Sequence, residues 1–270
     1  MNNFKKIFSI LIVVMLFVGC NSETPVKETG KKNINTVYSA RTETITEEVT
    51  LEDNKTIAFE ISYTYPLITS TKMAENAKKL NIAFEKEAKD YIEKIKTSDY
   101  VKKAKKMCQT TIDSKREFYP HSVKVNYILE YNKNNVLSYL KTEDIYVGGT
   151  SNICKAEGKT YNLETGKKLE LGDVFEVSNL GITKILADGL TKKAEEEKEL
   201  FNNKTTFTDE EIKAQLKNSS WYLTNEGIEF FFNPNTIVPE VSEILQFNYS
   251  FVGNKTMFKL DLETTTNKSK

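Results

Sequence analysis

Two stretches in the first half of the chain alternate apolar and polar residues, which predicts strands. The first covers Thr56–Tyr65, and Pro66 is expected to end it. The second covers Val123–Tyr131 and leads into Asn132–Asn135, a run of turn-forming residues. Val136–Val147 then returns as a partner strand. The second stretch and its return therefore predict an antiparallel hairpin.

Between these strands the apolar period changes from two to three or four residues. From Met73 to Ile95 the apolar side chains recur at helical spacing, with Lys and Glu between them. This pattern predicts an amphipathic helix of about 24 residues. The next stretch, Tyr100–Cys108, either extends that helix or begins a second one.

The second half opens with a short hairpin followed by two helices. Lys159–Leu163 and Lys168–Leu171 flank the turn residues of the hairpin. Leu180–Phe201 carries an apolar stripe at helical spacing. Thr208 and Glu211 have the spacing of a capping box, so a further helix is expected to begin at Thr208.

The C-terminal end of the body is predicted to form strands. Trp221–Leu223 pairs with Gly227–Phe232 across a turn, and Leu245–Phe251 and Thr256–Leu262 each alternate apolar and polar residues. Strands and helices are too mixed for βαβ winding. The predicted fold class is therefore α+β, in two small subdomains that each combine an antiparallel sheet with packed helices.

The N-terminus has the layout of a secretory signal. Lys5 and Lys6 precede the apolar run Ile7–Val18, which at 12 residues is shorter than the roughly 20 that a membrane-spanning helix needs. Gly19 and Cys20 close the run and resemble a lipobox, in which the Cys acquires a diacylglycerol and cleavage precedes it. We therefore expect a lipid anchor on Cys20, such as palmitate, that holds the chain on the outer face of the cell membrane.

The expected organisation follows from these elements. Residues 20–36 are polar and aperiodic, which predicts a flexible tether. The predicted segments are a signal peptide at 1–19, a tether at 20–36, α+β domains at 37–150 and 151–264, and a polar tail at 265–270.

Composition argues against nucleic acid as a partner. The chain has 38 basic and 38 acidic residues, and loss of Lys5 and Lys6 with the signal gives the mature chain a net charge of −2. Basic residues are interspersed with acidic ones and form no stripe. The membrane contact is accordingly expected through Cys20 alone.

Few residues offer catalytic or metal-binding chemistry. His121 is the only histidine, no Gly-x-Ser-x-Gly elbow accompanies it, and it follows Tyr119-Pro120 at the start of a strand. An exposed loop histidine is the expected state. One His and scattered Cys make no metal-ligand set, and no cofactor motif occurs, so catalytic, metal and cofactor sites are all predicted to be absent.

Cys108 and Cys154 are the two thiols that remain once Cys20 is lipidated. In an exported protein such a pair is a candidate disulfide. It would close a loop of about 46 residues and stabilise the fold by roughly 4 kcal/mol on the chain-entropy model. The alternative is two unpaired, buried cysteines.

Three other features have structural explanations that outweigh catalytic ones. Gly148-Gly149 is interpreted as a strand break, since no Lys-Ser/Thr follows as in a phosphate-binding loop. The carboxylate pairs Glu143/Asp144 and Glu47/Glu48 are interpreted as solvated charge. Trp221-Tyr222 and Phe230–Phe232 could form a sugar-stacking platform, but alternating burial in a sheet accounts for them, with Phe231 opposite its neighbours.

From Tyr146 to about Phe251 the chain resembles an extracytoplasmic domain shared by lysozyme-sensing anti-sigma-V factors and the non-catalytic region of some peptidoglycan deacetylases. The residues that carry the resemblance are Val147–Gly149, Lys159–Lys167, Leu169–Phe175, Trp221–Thr224, Gly227-Ile228 and Phe232–Pro234. The upstream strand, helix and hairpin are similar to the domain that often precedes it. After Gly149 this chain has Thr150–Asn152 where that domain carries Ala-His-Gly, so no ligand contact is carried over.

The resemblance implies a non-enzymatic α+β module that binds a partner at the cell envelope, with lysozyme or peptidoglycan as the expected partner. A second hypothesis is a hydrolase or deacetylase acting on the wall. A third is a purely structural envelope protein. The sequence does not indicate which residues would bind the ligand.

Overall fold

A computed structural model describes residues 38–72, 74–149 and 152–260. Cys20, the signal segment, the tether and the polar tail lie outside these residues. Within them the fold is α+β, as predicted, and contains one large sheet and one small sheet with helices packed on each.

The large sheet has six strands in the order of the chain. Its strands are β1 (Ser39–Thr50), β2 (Ile57–Thr69), β3 (His121–Lys133), β4 (Val136–Tyr146), β5 (Ile153–Asn162) and β6 (Lys167–Leu169). The predicted β3–β4 hairpin is confirmed: Asn134 and Asn135 both have positive φ at its tip, as a tight hairpin turn requires.

One pair of strands departs from the predicted antiparallel sheet. β2 and β3 run parallel, from Phe59 beside His121 to Tyr63 beside Val125. Parallel neighbours need a long crossover, which here consists of the helices α1 (Ala74–Lys96) and α2 (Asp99–Asp113). The large sheet is therefore mixed, and Tyr100–Cys108 belongs to a second helix.

The two helices cover one face of the large sheet and build the first hydrophobic core. α1 buries an apolar stripe that includes Leu80, Phe84 and Ile92. The inward residues of β2, such as Phe59, Ile61 and Tyr63, meet it and are almost completely buried. The helical period and the strand alternation thus converge on one core.

Pro66 does not end β2, contrary to the prediction. The strand runs on to Thr69, and Pro66 pairs with Thr42 of β1. On its other side, the N–H and C=O of Ile68 bond to the Asn81 side chain, at 2.8 Å each. Residue 66 faces the same open side of the strand, where a missing N–H costs no ladder bond.

The small sheet has three antiparallel strands, β7 (Ser219–Leu223), β8 (Gly227–Phe232) and β9 (Leu245–Ser250). The helices packed with it are α3 (Leu171–Val174), α4 (Asn179–Glu196) and α5 (Asp209–Gln215). The predicted capping box is present: Thr208 accepts from the N–H of Glu211, and the Glu211 carboxylate accepts from the N–H of Thr208.

The second core lies between this sheet and its helices. It contains Leu186 and Leu190 of α4, Ile212 of α5, and Phe230 and Phe232 of β8. The predicted strand Thr256–Leu262 is wrong over its described residues: Lys255–Met257 is a 3₁₀ turn, and only Phe258 bridges to Phe175.

The large sheet continues past residue 150, where the sequence placed a domain boundary. β5 pairs with β4 along ten residue pairs, from Ile153 beside Ile145 to Asn162 beside Val136. The small sheet then packs on β5 through β7. The two sheets are thus joined through β5.

Candidate functional site

β5 and β7 approach so closely that only glycine fits between them. A Cβ on Gly158 would lie 1.7 Å from the carbonyl oxygen of Trp221. The N–H of Gly158 instead donates to Oγ of Ser220 at 3.0 Å.

A second contact between the sheets is made by the buried Ser138 of β4. Its hydroxyl accepts from the N–H of Leu223 in β7 at 2.9 Å and lies 2.7 Å from the Thr160 hydroxyl. These bonds fix the two sheets against each other.

The side chain of Asn233 completes this junction. Its Oδ1 accepts from the N–H of Ala156 at 2.6 Å, and its Nδ2 donates to the Ala156 carbonyl at 2.9 Å. The amide therefore bonds to β5 as a neighbouring strand would. Of the residues that carry the resemblance, Asn233 thus has a structural role at the junction.

An open groove of about 630 Å³ lies beside this junction. Its walls come from β5, from the segment between α5 and β7, and from the turn after β8. Most of its lining side chains are amides or hydroxyls: Gln215, Asn218, Ser220, Asn233, Asn235 and Thr236. We call it the amide groove. Its volume is within the range typical of ligand sites.

Several polar groups of the amide groove are free to bind a ligand. Nδ2 of Asn218 donates to Oε1 of Gln215 at 2.6 Å, which leaves the Gln215 amino group and the Asn218 carbonyl without a partner among the described residues. The Asn235 backbone has φ 59° and is held by a 2.8 Å bond to the Val241 carbonyl. Its exposed side chain bonds to no described residue.

Two charged residues also line the amide groove. The Glu157 carboxylate lies 3.6 Å from the ammonium groups of both Lys159 and Lys168. Lys217 is exposed and forms no ion pair with the described residues. The uncompensated charge of the groove is therefore positive.

A second polar cluster lies under α1, on the other face of the large sheet. The Glu87 carboxylate accepts from Lys141 at 2.7 Å, from Lys159 at 2.8 Å to each oxygen, and from the hydroxyls of Tyr63 and Tyr127 at about 3 Å. These five residues are the Glu87 cluster. Lys159 is only 7% exposed, so its charge depends mainly on this carboxylate, since Glu157 lies farther away at 3.6 Å.

Burial alone would raise the pKa of the Glu87 carboxyl, but hydrogen bonds and charge from Lys141 and Lys159 outweigh it and lower that pKa to about 2. Burial raises the pKa of Tyr63 and Tyr127, so both hydroxyls stay protonated and donate. All partners of the cluster are engaged, which marks it as a structural joint between α1 and the sheet.

His121 is not in an exposed loop, contrary to the prediction. It begins β3 and is 3% exposed, with the rings of Phe118 and Tyr146 within 6 Å of its own. Burial lowers the pKa of its imidazole. A Cβ on Gly148 would lie 3.1 Å from its Nε2, so the strand break after β4 leaves room for the ring. The pattern around residue 121 could have shown this, since His121 continues the inward alternation of Val123 and Val125.

The predicted disulfide between Cys108 and Cys154 is wrong. Both are free thiols, Cys108 buried on α2 and Cys154 at the start of β5. Cys154 shares a face with Ala156, which packs on the small sheet, whereas α2 covers the opposite face. β5 also lies three strand spacings, about 14 Å, from β2, on which α2 packs. The backbones at Cys108 and Cys154 are therefore too far apart for a disulfide.

Cys154 instead donates its thiol hydrogen to Asp144 at 2.9 Å. This bond, with burial, raises the pKa of the Cys154 thiol to about 11. Asp144 is therefore not one half of an acid/base pair with Glu143, which lies 3.7 Å from Lys155 on the other face of β4. Glu47 lies 3.2 Å from Lys96. Glu143 and Glu47 thus have ordinary ion partners.

The aromatic run of β8 is divided between two cores, as predicted. Phe230 and Phe232 face the core with α4 and α5, whereas Phe231 packs with Tyr222 and Ala156 against the large sheet. Trp221 is half-buried against the core that contains Phe230 and Phe232. The run forms packing surface at the sheet junction.

The described residues contain neither a metal-ligand group nor a membrane-spanning helix. Across 38–72, 74–149 and 152–260, no three His, Cys, Asp or Glu side chains are grouped so that they could hold a metal ion. In the same ranges, no helix has the length and apolar composition to cross a membrane. The expected lipidation site, Cys20, lies outside them.

Comparison with known proteins finds a family match in the first half of the chain. Residues 52–151 match the family model described as Deacetylase PdaC. This segment is similar to the PdaC domain. The match covers β2 to the end of β4 and confirms the resemblance stated for the upstream strand, helix and hairpin. No curated protein matches the chain significantly.

Two crystal structures are similar to most of the chain. A member of the DUF3298 family from Bacteroides fragilis is 16% identical with a TM-score of 0.54, and the match covers 83% of this chain and 95% of that one. A DUF3298 family protein from Pseudomonas aeruginosa is 12% identical with a TM-score of 0.48, over 84% and 96% of the two chains. The first likeness shows a common fold over most of this chain.

Proposed function

We propose that the protein is a non-catalytic binding or sensing module, held on the outer surface of the cell membrane by a lipid on Cys20. Its partner in this proposal is a lysozyme-like protein or peptidoglycan. The observation that carries the proposal is the amide groove, whose free side chains are hydrogen-bonding groups.

The groove is suited to binding. Gln215, Asn218 and Asn235 present donors and acceptors that no described residue satisfies, and such groups gain most from a polar partner. The groove lies where the two sheets are hydrogen-bonded to each other, so the wall that contains Ser220 and Asn233 is held in place before a ligand binds. A rigid site loses little conformational entropy when a ligand binds.

The N-terminal sequence supports the proposed location. A basic start, a 12-residue apolar run and Gly19-Cys20 predict export and lipidation. Residues 21–36 would then separate the body from the lipid by a short polar segment. A module tethered in this way would meet wall fragments and wall-active proteins directly.

A wall-modifying enzyme is the second candidate, because the family model that matches residues 52–151 is described as a deacetylase. Two of the groups that could support catalysis in the described body are held within its packing. His121 is buried with a lowered pKa, and the Glu87 carboxylate is held by four donors. The two candidates differ in whether the ligand is chemically changed.

Calorimetry on the full-length protein in detergent micelles tests the proposal. Lysozyme and soluble muropeptides are titrated separately, and the recovered muropeptides are weighed by mass spectrometry. We expect at least one titrant to bind at micromolar to high micromolar concentration and the muropeptide masses to stay unchanged. Loss of acetyl groups or of glycan length that scales with protein concentration would establish the enzyme instead.

A further inference from the structure

We propose that the amide groove binds a glycan carrying both amide and carboxylate groups, and that Lys217 is the residue that selects the carboxylate. The inference rests on the proposed function and assigns its site and ligand class. It follows from the unsatisfied groups of the groove, their charge and the rigidity of their support.

The hydrogen-bonding inventory of the groove matches a ligand rich in amides and hydroxyls. Gln215 offers a free amino group, Asn218 a free carbonyl, and Asn235 a whole amide. The lining thus offers both donors and acceptors, and each acetamido or hydroxyl group of a sugar can use both. An apolar ligand would leave these groups unpaired.

The charge of the groove favours an anion. Glu157 already has two lysines at 3.6 Å, whereas Lys217 has no carboxylate partner among the described residues. A ligand carboxylate beside Lys217 would form a charge-assisted hydrogen bond, which is stronger than a neutral one. The exposed position of Lys217 implies that salt weakens this contribution.

The support of these groups is fixed before any ligand arrives. Asn233 anchors the turn after β8 to Ala156 by two hydrogen bonds, and the Val241 carbonyl holds the N–H of Asn235. Asn235 has φ 59°, a conformation that Asn tolerates and most residues avoid. The turn therefore holds Asn235 in the lining of the groove.

Three sugars separate the contributions of amide and carboxylate. N-acetylglucosaminyl-N-acetylmuramic acid carries both groups, tri-N-acetylchitotriose carries amides alone, and maltotriose carries neither. Each is titrated into the full-length protein in a detergent without a sugar head group. We expect the wild type to bind the carboxylated disaccharide about fivefold more tightly than chitotriose, and maltotriose least.

The variants assign these differences to residues. Lys217→Gln should abolish the preference for the carboxylated sugar and leave chitotriose binding unchanged. Asn235→Gly, which keeps the positive φ available, should weaken both N-acetylated sugars about fivefold. Lys213→Gln on α5 is the matched control, since Lys213 is an exposed lysine outside the groove, and it should change neither. Equal urea midpoints check that all variants are folded.

The outcomes are distinct. A carboxylate preference that survives Lys217→Gln, or maltotriose binding as tight as chitotriose binding, overturns the inference. Binding of lysozyme or muropeptides by the wild type that both groove variants leave intact also overturns it, but the proposed function then stands with a site elsewhere. If the wild type binds none of the sugars, lysozyme or muropeptides, the proposed function itself is contradicted.

Discussion

Glu87 lies on the face of α1 that packs on the large sheet, where a charged group costs free energy unless partners surround it. Lys141 and Lys159 on neighbouring strands and two tyrosine hydroxyls supply those partners. Lys141 also lies within 6 Å of the rings of Tyr63, Tyr91 and Tyr127, which favours its charge further. One carboxylate thus fixes a helix to the strands beneath it.

The Glu87 cluster makes a quantitative prediction for stability. Glu87→Gln removes the nearest carboxylate from two shielded ammonium groups, and of these only Lys159 keeps another among the described residues, Glu157 at 3.6 Å. The free energy of unfolding in urea at pH 7 should therefore fall by about 2–3 kcal/mol relative to the wild type. Glu85→Gln is the control, because it breaks only an exposed i, i+4 pair with Lys89 and should cost about 0.5 kcal/mol or less. Equal losses in the two variants would contradict the structural role of the cluster.

The pH dependence of that difference checks its origin. The pKa of Glu87 is about 2 in the folded protein and 4.5 in the unfolded chain, so its contribution is complete above pH 4.5. As the pH falls from 4.5 towards 2, the stability gap between wild type and Glu87→Gln should shrink. A stability difference between the two proteins that stays constant down to pH 2 would show that Glu87→Gln destabilises the fold for steric reasons and not through charge.

At the residue scale the sequence predicted little of this. Lys141 and Lys159 are 54 and 72 residues from Glu87 along the chain, and each of the three alone has the pattern of surface charge. The lining of the amide groove was missed for the same reason: its residues come from three separate segments. The burial of His121 could have been predicted, because this residue continues the inward alternation of Val123 and Val125 in β3.

At the scale of elements, the joint between β5 and β7 decides how the two sheets meet. Gly158 allows the strands to touch, Asn233 substitutes for a strand beside Ala156, and Ser138 bonds to β7. Asn233 and Ala156 also line the amide groove. Packing and the candidate site therefore depend on the same residues.

Gly158→Ala tests this joint. The added methyl would overlap the Trp221 carbonyl, so the strands must move apart, and we expect a loss of about 3 kcal/mol or more by urea denaturation. Gly172→Ala on α3 is the matched control, because a Cβ there meets no atom within 4 Å. A Gly158→Ala variant as stable as Gly172→Ala would show that the sheets do not pack as described.

Most elements were predictable because their apolar periods are regular, and the misses have physical reasons. β1 lies at the sheet edge and is rich in Thr and Glu, so it carries little apolar alternation. Pro66 did not end β2 because the strand has an open side there. Thr256–Leu262 alternates like a strand, but its apolar side chains close the second core from a turn.

At the scale of the whole molecule, the central expectation is that the body acts at a membrane surface. The prediction concerns Cys20: Cys20→Ser should abolish labelling by radioactive palmitate and release the protein from the membrane fraction. Cys108→Ser, which removes a buried thiol of the body, is the control and should keep both label and location. Label that persists in Cys20→Ser would contradict the lipid anchor.

Hydrogen exchange of the full-length protein, read by mass spectrometry with and without muropeptides or lysozyme, tests the binding proposal most directly. The account predicts slower exchange in peptides covering 215–236, unchanged exchange in α2, and muropeptides of unaltered mass in the same run. Identical exchange with and without both ligands, or muropeptides that return lighter by acetyl groups, would contradict it.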